Sequence, residues 1–157
     1  MLVYRITHKD HSKTLFAPGV EGRWNGAGRK VIYAAESIPL AFMESMIRRK
    51  GLGFNQDFRI VIIYIPSSIK SSAIKTANLP KGWRNYNHYS ICQELGNHWY
   101  DEKKTVILKI PSAILPSNYN FVINTSHKDF KKIRIAGISP LVPDERIEEI
   151  LKKFRSA

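Results

Sequence analysis

The pattern of apolar and polar residues predicts short strands interrupted by three helices. Strand-like runs, rich in β-branched and aromatic residues, cover residues 2–7, 30–35, 58–65, 105–110, 119–124 and 132–138. Helical periodicity covers residues 37–50, with Ser37 suited to the N-cap, residues 90–101, and a segment that begins near Pro143. Pro66, Pro80 and Gly82 punctuate residues 66–89, which we expect to be mostly loop. Because strands dominate and helices interrupt them irregularly, we predict an α+β fold rather than a doubly wound sheet.

The same pattern predicts which faces are buried. Residues 58–65 form a continuous apolar run, as in strands that are covered on both faces. The segment from Ile38 to Ile47 is apolar almost all round, which is typical of a buried helix. In the other two helices the expected apolar stripes consist of Ile91, Leu95 and Trp99, and of Ile147, Ile150, Leu151 and Phe154.

Length and composition are those of one globular domain. The 157 residues are 43% hydrophobic, so we expect a single domain over residues 1–157 with a core of its own. Cys92 is the sole cysteine, which excludes an internal disulfide and suits a reducing compartment. We interpret Cys92 as a buried apolar residue rather than a nucleophile. An early charge at the N-terminus and apolar runs too short for a bilayer predict a cytoplasmic protein.

The net charge of +12 indicates an anionic partner without identifying it. The basic residues are scattered and never form a run of five. Nucleic acid, an anionic small substrate and an acidic protein all stay open as partners.

Common site motifs are absent from the sequence. His8, His11, His88, His98 and His127 lack paired metal-ligand spacing, so we expect no metal site. Residues 26–28 are too short for a dinucleotide fingerprint, and the chain has neither a P-loop nor a GxSxG elbow.

Glu44 is the only acid on the apolar helix from Ile38 to Ile47. A buried carboxylate is costly unless it meets a cation, takes up a proton or lines a cavity. A structural salt bridge to Arg48, four residues later, is as good an interpretation as a functional site.

Three further residues have both a functional and a structural interpretation. Arg23 lies in a glycine-flanked loop, where a guanidinium could bind phosphate or carboxylate. Its neighbour Trp24 is better explained as core. Tyr33 is by default a half-buried strand aromatic, and Ser112 a hydroxyl that caps a turn.

Seven motifs in order make the sequence similar to the RES domain, a family named for an Arg, a Glu and a Ser. Those three residues fall on Arg23, Glu44 and Ser112. The motifs cover nearly the whole chain and are Val3-Tyr4-Arg5, Gly22-Arg23-Trp24-Asn25 with Val31-Ile32-Tyr33-Ala34, Leu40-Ala41-Phe42-Met43-Glu44, Leu79-Pro80-Lys81-Gly82-Trp83, Gly96-Asn97-His98-Trp99, Ile110-Pro111-Ser112-Ala113, and Asn120-Phe121-Val122-Ile123-Asn124 with His127. The chain departs from the family's Asn-Pro-x-His-Pro pattern after Asn124, where both prolines are missing.

The resemblance implies a bent, mixed β core similar to that of ADP-ribosyltransferases, with a cleft for NAD+. It implies a toxin that depletes NAD+ by hydrolysis or phosphorolysis of the nicotinamide–ribose bond, with NAD+ as substrate and no cofactor. The implied partner is a helix-turn-helix (Xre-like) antitoxin that blocks the cleft, and we expect this chain to bind neither nucleic acid nor membrane.

The resemblance also implies roles for individual residues. Glu44 would stabilise the oxocarbenium-like cation and hold the ribose hydroxyls. Arg23, helped by Arg5, would clamp the pyrophosphate, Tyr33 would orient the nicotinamide, and Ser112 would hydrogen-bond ribose or carboxamide. Further candidates for substrate positioning are Asn25, Trp99 and Asn124.

Two alternative functions stay open. A protein ADP-ribosyltransferase would use the same cleft and differ only in the acceptor. A basic nucleic-acid-binding module or ribonuclease toxin would use the positive charge and the aromatic residues, although the sequence has no helix-turn-helix and no basic stripe.

Overall fold

One mixed sheet organises the molecule. The computed structural model describes residues 1–87 and 89–157, so His88, one of the histidines considered as a metal ligand, lies outside the described residues. Within those ranges the chain forms a seven-stranded sheet in the order β4-β5-β6-β2-β1-β3-β7 and three α-helices. The strands are β1 (Leu2–His8), β2 (Val31–Ala35), β3 (Phe58–Tyr64), β4 (Ser71–Ala73), β5 (Ile107–Pro111), β6 (Tyr119–Asn124) and β7 (Arg134–Pro140). The helices are α1 (Ile38–Arg48), α2 (Ser90–Glu102) and α3 (Glu145–Ser156).

The α+β class predicted from the sequence is confirmed. Neighbouring strands are antiparallel except β4 and β5, which are parallel. The sequence did not predict β4, because its three residues, Ser-Ser-Ala, carry neither β-branched side chains nor a detectable alternation. The likeness to ADP-ribosyltransferases stays a prediction.

The two faces of the sheet are covered differently. On one face Val3, Ile32, Val61 and Ile123 belong to the largest buried cluster. On the other face α1 packs over β1 and β2, while α2 and three tryptophans pack over β5 and β6. The strands β2 and β6 lie between the two helices, and the candidate site is built there.

Four burial predictions are wrong, in part or whole. In β3 only Val61 and Ile63 are buried, whereas Ile60 and Ile62 are half-buried. On α1, Ile38 is 37% exposed and Ile47 is 65% exposed, so this helix is buried on one side only. Because α1 packs on the sheet with one side only and no described residue covers its other side, that other side faces water.

The buried face of α2 is not the predicted Ile91–Leu95–Trp99 stripe. Cys92, Gly96 and Trp99 are buried, whereas Ile91 is 44% exposed and Leu95 is 38% exposed. Small side chains at positions 92 and 96 let the helix lie close to its neighbours, which rotates the larger aliphatic residues outward.

The C-terminal stripe is likewise largely uncovered. Of its four residues only Leu151 is buried in α3, while Ile150 and Phe154 are exposed. Among the described residues no helix is both long enough and apolar enough to cross a bilayer.

Candidate active site

The carboxylate of Glu44 is held at one oxygen by a side chain from β6 and one from the turn after β5. The helix that carries it begins at Ser37, whose Oγ accepts a hydrogen bond from the Leu40 N–H at 3.3 Å. Glu44 Oε1 accepts from Ser112 Oγ at 2.7 Å and from Asn120 Nδ2 at 2.5 Å. No donor in the described part of the chain bonds to Oε2. The arrangement therefore leaves one oxygen of a fixed carboxylate available to a ligand.

The structural salt bridge considered from the sequence does not form. Among the described residues Glu44 has no cation within 4.0 Å. Arg48 is nevertheless close enough for Glu44 to raise its pKa, although burial lowers it more. Glu44 is therefore a hydrogen-bonded carboxylate with a cation nearby, and not one half of an ion pair.

Ser112 caps a turn, as its structural interpretation predicts, whereas a hydrogen bond from its hydroxyl to ribose or carboxamide stays a prediction. Its fully buried Oγ accepts hydrogen bonds from the N–H groups of Ile114 and Leu115, each at 3.1 Å, and so caps the turn after β5. The same hydroxyl donates to Glu44, which leaves its geometry fully determined.

Asn120 is a site residue that the sequence interpretation missed. It pairs with Ala35 on β2 and Ile110 on β5, and its Nδ2 donates to Glu44. The available signal was the amide itself, on the inward side of an otherwise apolar strand. Only the register, which the sequence does not give, shows that this amide faces α1.

A second group of site residues surrounds the hydroxyl of Tyr33. It donates to Asn25 Oδ1 at 2.6 Å and accepts from the Trp24 N–H at 3.0 Å. Burial raises the pKa of Tyr33 above its ordinary value, so the phenol stays neutral. A Cβ at Gly22 would lie 2.8 Å from this hydroxyl, so the glycine allows the loop 22–25 to close against Tyr33.

Arg23 binds backbone rather than pointing freely into a cleft. Its guanidinium donates to the carbonyls of Trp83 at 2.7 Å, Arg84 at 3.1 Å and Asn85 at 3.4 Å. It also lies over the Tyr89 ring, 4.5 Å from the centroid. At most two of its five N–H groups are left for a substrate.

Arg84 connects the Arg23 group to the Glu44 group. It donates to the carbonyls of Ala113 at 2.7 Å and Ile114 at 3.1 Å, which lie in the turn that Ser112 caps. The sheet makes a second connection: Tyr33 pairs with Val122, two residues from Asn120 on the same face. Such diagonal neighbours are about 7–8 Å apart. The structure thus brings Arg23, Tyr33, Glu44 and Ser112 to one region.

Arg5 lies on β1, close enough to Arg48 on α1 for the two charges to interact. Burial lowers its pKa, and the positive charge of Arg48 lowers it further. Burial also lowers the pKa of Arg48, and Arg49 adds to that shift, even though much of the Arg48 side chain is accessible to solvent. The Arg5 and Arg48 guanidinium groups therefore repel each other, and Glu44 offsets part of that repulsion at Arg48.

The three remaining candidates hold protein structure together. Asn25 is fully buried and donates to the carbonyl of Val20 at 2.9 Å. Trp99 Nε1 donates to Thr105 Oγ1 at 3.0 Å, and Asn124 Nδ2 donates to the Tyr100 carbonyl at 3.3 Å. Nothing tests their contact with a substrate, which stays a prediction.

The loop after Asn124 is ordered without the family's prolines. Asn124 Oδ1 accepts from the Ser126 N–H at 2.9 Å. His127 Nδ1 accepts from the Asp129 N–H at 3.0 Å, and its Nε2 contacts the Lys103 carbonyl at 2.9 Å. These hydrogen bonds supply the local restraint that proline would otherwise give.

Among the described residues, neither a cluster of possible metal ligands nor either of two surface depressions coincides with this region. In residues 1–87 and 89–157 no group of three His, Cys, Asp or Glu side chains could hold a metal ion. Two open depressions of about 400 and 240 Å³ are lined by residues other than Glu44, Ser112 and Asn120. Cys92 is buried, and desolvation raises the pKa of its thiol, as expected of a core cysteine.

Tyr33→Phe is expected to lower the free energy of unfolding by about 1–3 kcal/mol. The change leaves Asn25 Oδ1 without its donor and the Trp24 N–H without its acceptor in a buried loop. Urea unfolding followed by tryptophan fluorescence measures the effect. Tyr86→Phe, at a side chain that is 75% exposed, is the matched control and should leave stability unchanged. Equal stability of the two variants would contradict the role of the Tyr33 hydroxyl.

Comparison with known proteins identifies the family. Residues 2–147 match the model of the RES domain. The chain is 31% identical over 149 residues to the protein named Toxin Res of Pseudomonas putida, an alignment that covers 94% of this chain and 99% of that protein. It is 31% identical over 128 residues to the Prs ADP-ribosylating toxin of Sphingobium sp., with 80% of each chain covered. The chain therefore belongs to the RES domain family, and the resemblance predicted from the sequence is confirmed.

A solved structure shares the fold. The crystal structure of the M. tuberculosis MbcT–MbcA toxin–antitoxin complex contains a chain that matches with a TM-score of 0.73. The match covers 99% of this chain and 89% of that chain at 16% sequence identity. At this identity the likeness establishes the architecture alone.

Proposed function

We propose that this RES-domain protein is the toxin of a toxin–antitoxin pair and that it consumes NAD+ by cleaving the nicotinamide–ribose bond. The observation that carries the proposal is the carboxylate of Glu44, fixed at Oε1 by Ser112 and Asn120 and open at Oε2. The names of the relatives support the toxin role, and one of those relatives is called an ADP-ribosylating toxin.

The geometry suits a reaction that builds positive charge on a sugar. When the C1′–N1 bond of the nicotinamide riboside breaks, its electron pair goes to the nicotinamide nitrogen and the ribose becomes oxocarbenium-like. A carboxylate that is already oriented stabilises this cation without reorganising. Water or phosphate then attacks C1′ and loses a proton. Neutral nicotinamide is a good leaving group, so the step requires no strong acid.

The pyrophosphate-binding role shifts from Arg23 towards Arg5 and Arg48. Most of the N–H groups of Arg23 donate hydrogen bonds to the carbonyls of residues 83–85. In contrast, Arg48 interacts with Glu44, and Arg5 lies close enough to Arg48 for their two positive charges to repel each other. We assign binding of the dianionic pyrophosphate to this pair. Arg23, in the loop 22–25, and Tyr33, which binds that loop from β2, would shape the nicotinamide side of the site.

Protein ADP-ribosylation is a second candidate, since a relative of 31% identity is named an ADP-ribosylating toxin. Both reactions use the same cleavage and differ in what attacks C1′. The proposed antitoxin would cover this region, and the net charge of +12 favours an acidic surface on it.

A product assay tests the function. Purified protein is incubated with NAD+ labelled in the adenylate half, with and without phosphate, and with a cell lysate. Free ADP-ribose, or its 1″-phosphate when phosphate is present, supports depletion, and label retained on protein bands supports transfer. Unchanged NAD+ in every arm, together with degraded cellular RNA, would reject the proposal in favour of a ribonuclease.

Arg5→Gln and Arg48→Gln are each expected to raise the KM for NAD+ about ten- to a hundredfold with a smaller change in kcat. Each change removes a charge-assisted hydrogen bond to phosphate, worth about 1.5–3 kcal/mol. Steady-state kinetics at fixed ionic strength measure the effect. Lys152→Gln removes the same charge from an exposed position on α3. An equal rise in KM for that control would show that only net charge matters and would contradict the assignment.

A further inference from the structure

The side-chain amide of Asn120 is satisfied at one end only. Its Nδ2 donates to Glu44 Oε1 at 2.5 Å, while its Oδ1 is buried and has no hydrogen-bond partner among the described residues. A buried carbonyl without a donor is costly, and such groups are rare in folded proteins. Their presence requires an explanation.

The orientation of this amide is set by Glu44. An ionised carboxylate only accepts hydrogen bonds, so the NH2 group of Asn120 must face it. The opposite orientation would bring a carbonyl oxygen against carboxylate oxygen. The bond to Glu44 therefore leaves Oδ1 without a partner.

Packing alone does not explain an asparagine at this position. Its inward neighbour on β6 is Val122, and its partners across the sheet are Ala35 and Ile110. An apolar residue would fit these neighbours without leaving a buried polar atom unsatisfied. What the amide supplies in exchange is the second donor to Glu44 Oε1.

We propose that Asn120 is a positioning residue that, with Ser112, fixes the carboxylate of Glu44 so that Oε2 faces the substrate. Two donors, one on β6 and one in the turn after β5, fix both the position and the plane of the carboxylate, which a single donor does not. The inference rests on the proposed NAD+-consuming function. One cation on the same helix, Arg48, interacts with this carboxylate, and Arg5 on β1 interacts in turn with Arg48.

The test compares Asn120→Ala and Asn120→Asp with wild type. Without the amide donor, Asn120→Ala should lower kcat about ten- to a hundredfold and change KM less than threefold. Asn120→Asp places a second carboxylate against Glu44, so the acidic limb of the kcat–pH profile should move up by about one pH unit or more. In a Glu44→Gln background neither substitution should lower the residual rate further, because residues that act through one another are not additive.

A second readout does not depend on activity. Carbon-13 NMR of labelled glutamate side chains follows the Glu44 carboxyl, assigned by its loss in Glu44→Gln. Its titration midpoint should move to higher pH in Asn120→Asp, whereas the resonance of Glu149, exposed on α3, should not move. Circular dichroism checks that each variant is folded. If Asn120→Ala does not fold, the kcat–pH profile and the NMR titration are both measured on Asn120→Asp.

The outcomes separate the two proposals. An unchanged Glu44 titration in Asn120→Asp overturns the positioning role, as does a wild-type kcat and pH profile in both variants. A wild-type protein that leaves NAD+ intact rejects the proposed function, while the NMR titration still decides whether Asn120 controls the carboxylate.

Discussion

Glu44→Gln should reduce NAD+ consumption by about a hundred- to a thousandfold and leave the protein folded. Glutamine keeps the size of the side chain, and its amide oxygen can still accept from Ser112 and Asn120. The change removes only the negative charge that would face the ribose cation. Loss of one preorganised electrostatic group at a reacting centre costs about 10²–10³ in kcat. The rate of nicotinamide release by the purified protein measures the effect, and the NAD+ level of expressing cells is a second measurement.

Glu36→Gln is the matched control for this prediction. Glu36 Oε1 also accepts two hydrogen bonds, from Asn118 Nδ2 at 2.7 Å and from the Tyr119 N–H at 3.0 Å, but at the junction between β2 and α1. The same charge is removed from a similarly bonded carboxylate, so activity should stay within about threefold of wild type. If both variants lose activity equally, the carboxylates serve the fold and the catalytic assignment of Glu44 is wrong. If neither does, another group stabilises the cation.

Local sequence signals predicted α1 and indicated that Glu44 needs a specific partner. Ser37 at the N-cap, a proline in the first turn and a run of apolar residues determine where this helix begins, and all act within a few residues. A lone acid on such a segment indicates that the carboxylate has a specific partner. Which partner it has depends on strands that lie more than sixty residues away in sequence.

Long-range pairing explains what the sequence did not show. The resemblance assigned Arg23 to a phosphate, and its glycine neighbours support a close approach, but the carbonyls it binds belong to residues 83–85 in a segment predicted only as loop. Asn120 belongs to one of the quoted motifs but received no role for the same reason, because a one-residue change of register would point its amide to the other face. Local patterns thus predict elements and candidate residues, whereas the register decides which of them meet.

The loop 22–26 couples the stability of the protein to its site. On α2, Gln93 Nε2 donates to the Gly22 carbonyl at 2.9 Å, and Asn97 Oδ1 accepts from the Gly26 N–H at 2.8 Å. Between them on the helix surface, Gly96 lies against the backbone of Trp24. The helix therefore binds the loop that carries Arg23 and the partner of Tyr33, and the large aliphatic residues of α2 face outward because this contact requires small ones.

Gly96→Ala is expected to lower the free energy of unfolding by about 3 kcal/mol and to reduce NAD+ consumption beyond what the unfolded fraction explains. A Cβ at this position would lie 1.8 Å from the Trp24 carbonyl oxygen, so α2 and the loop 22–26 must move apart. Intrinsic helix propensity predicts the opposite sign, because alanine is favoured over glycine within a helix by about 1 kcal/mol. Urea unfolding and kinetics on the folded protein measure the two effects.

The control for this change is Gly137→Ala in β7, where the added Cβ would meet only Ile62 Cδ1 at an ordinary 3.5 Å. That variant should unfold close to wild type. A Gly96→Ala protein of wild-type or greater stability would mean that propensity outweighs the clash and that α2 does not press on the loop. A destabilised Gly96→Ala protein whose folded fraction keeps full activity would separate the two effects: the contact would hold the fold, and the positions of Arg23 and Tyr33 would not depend on it.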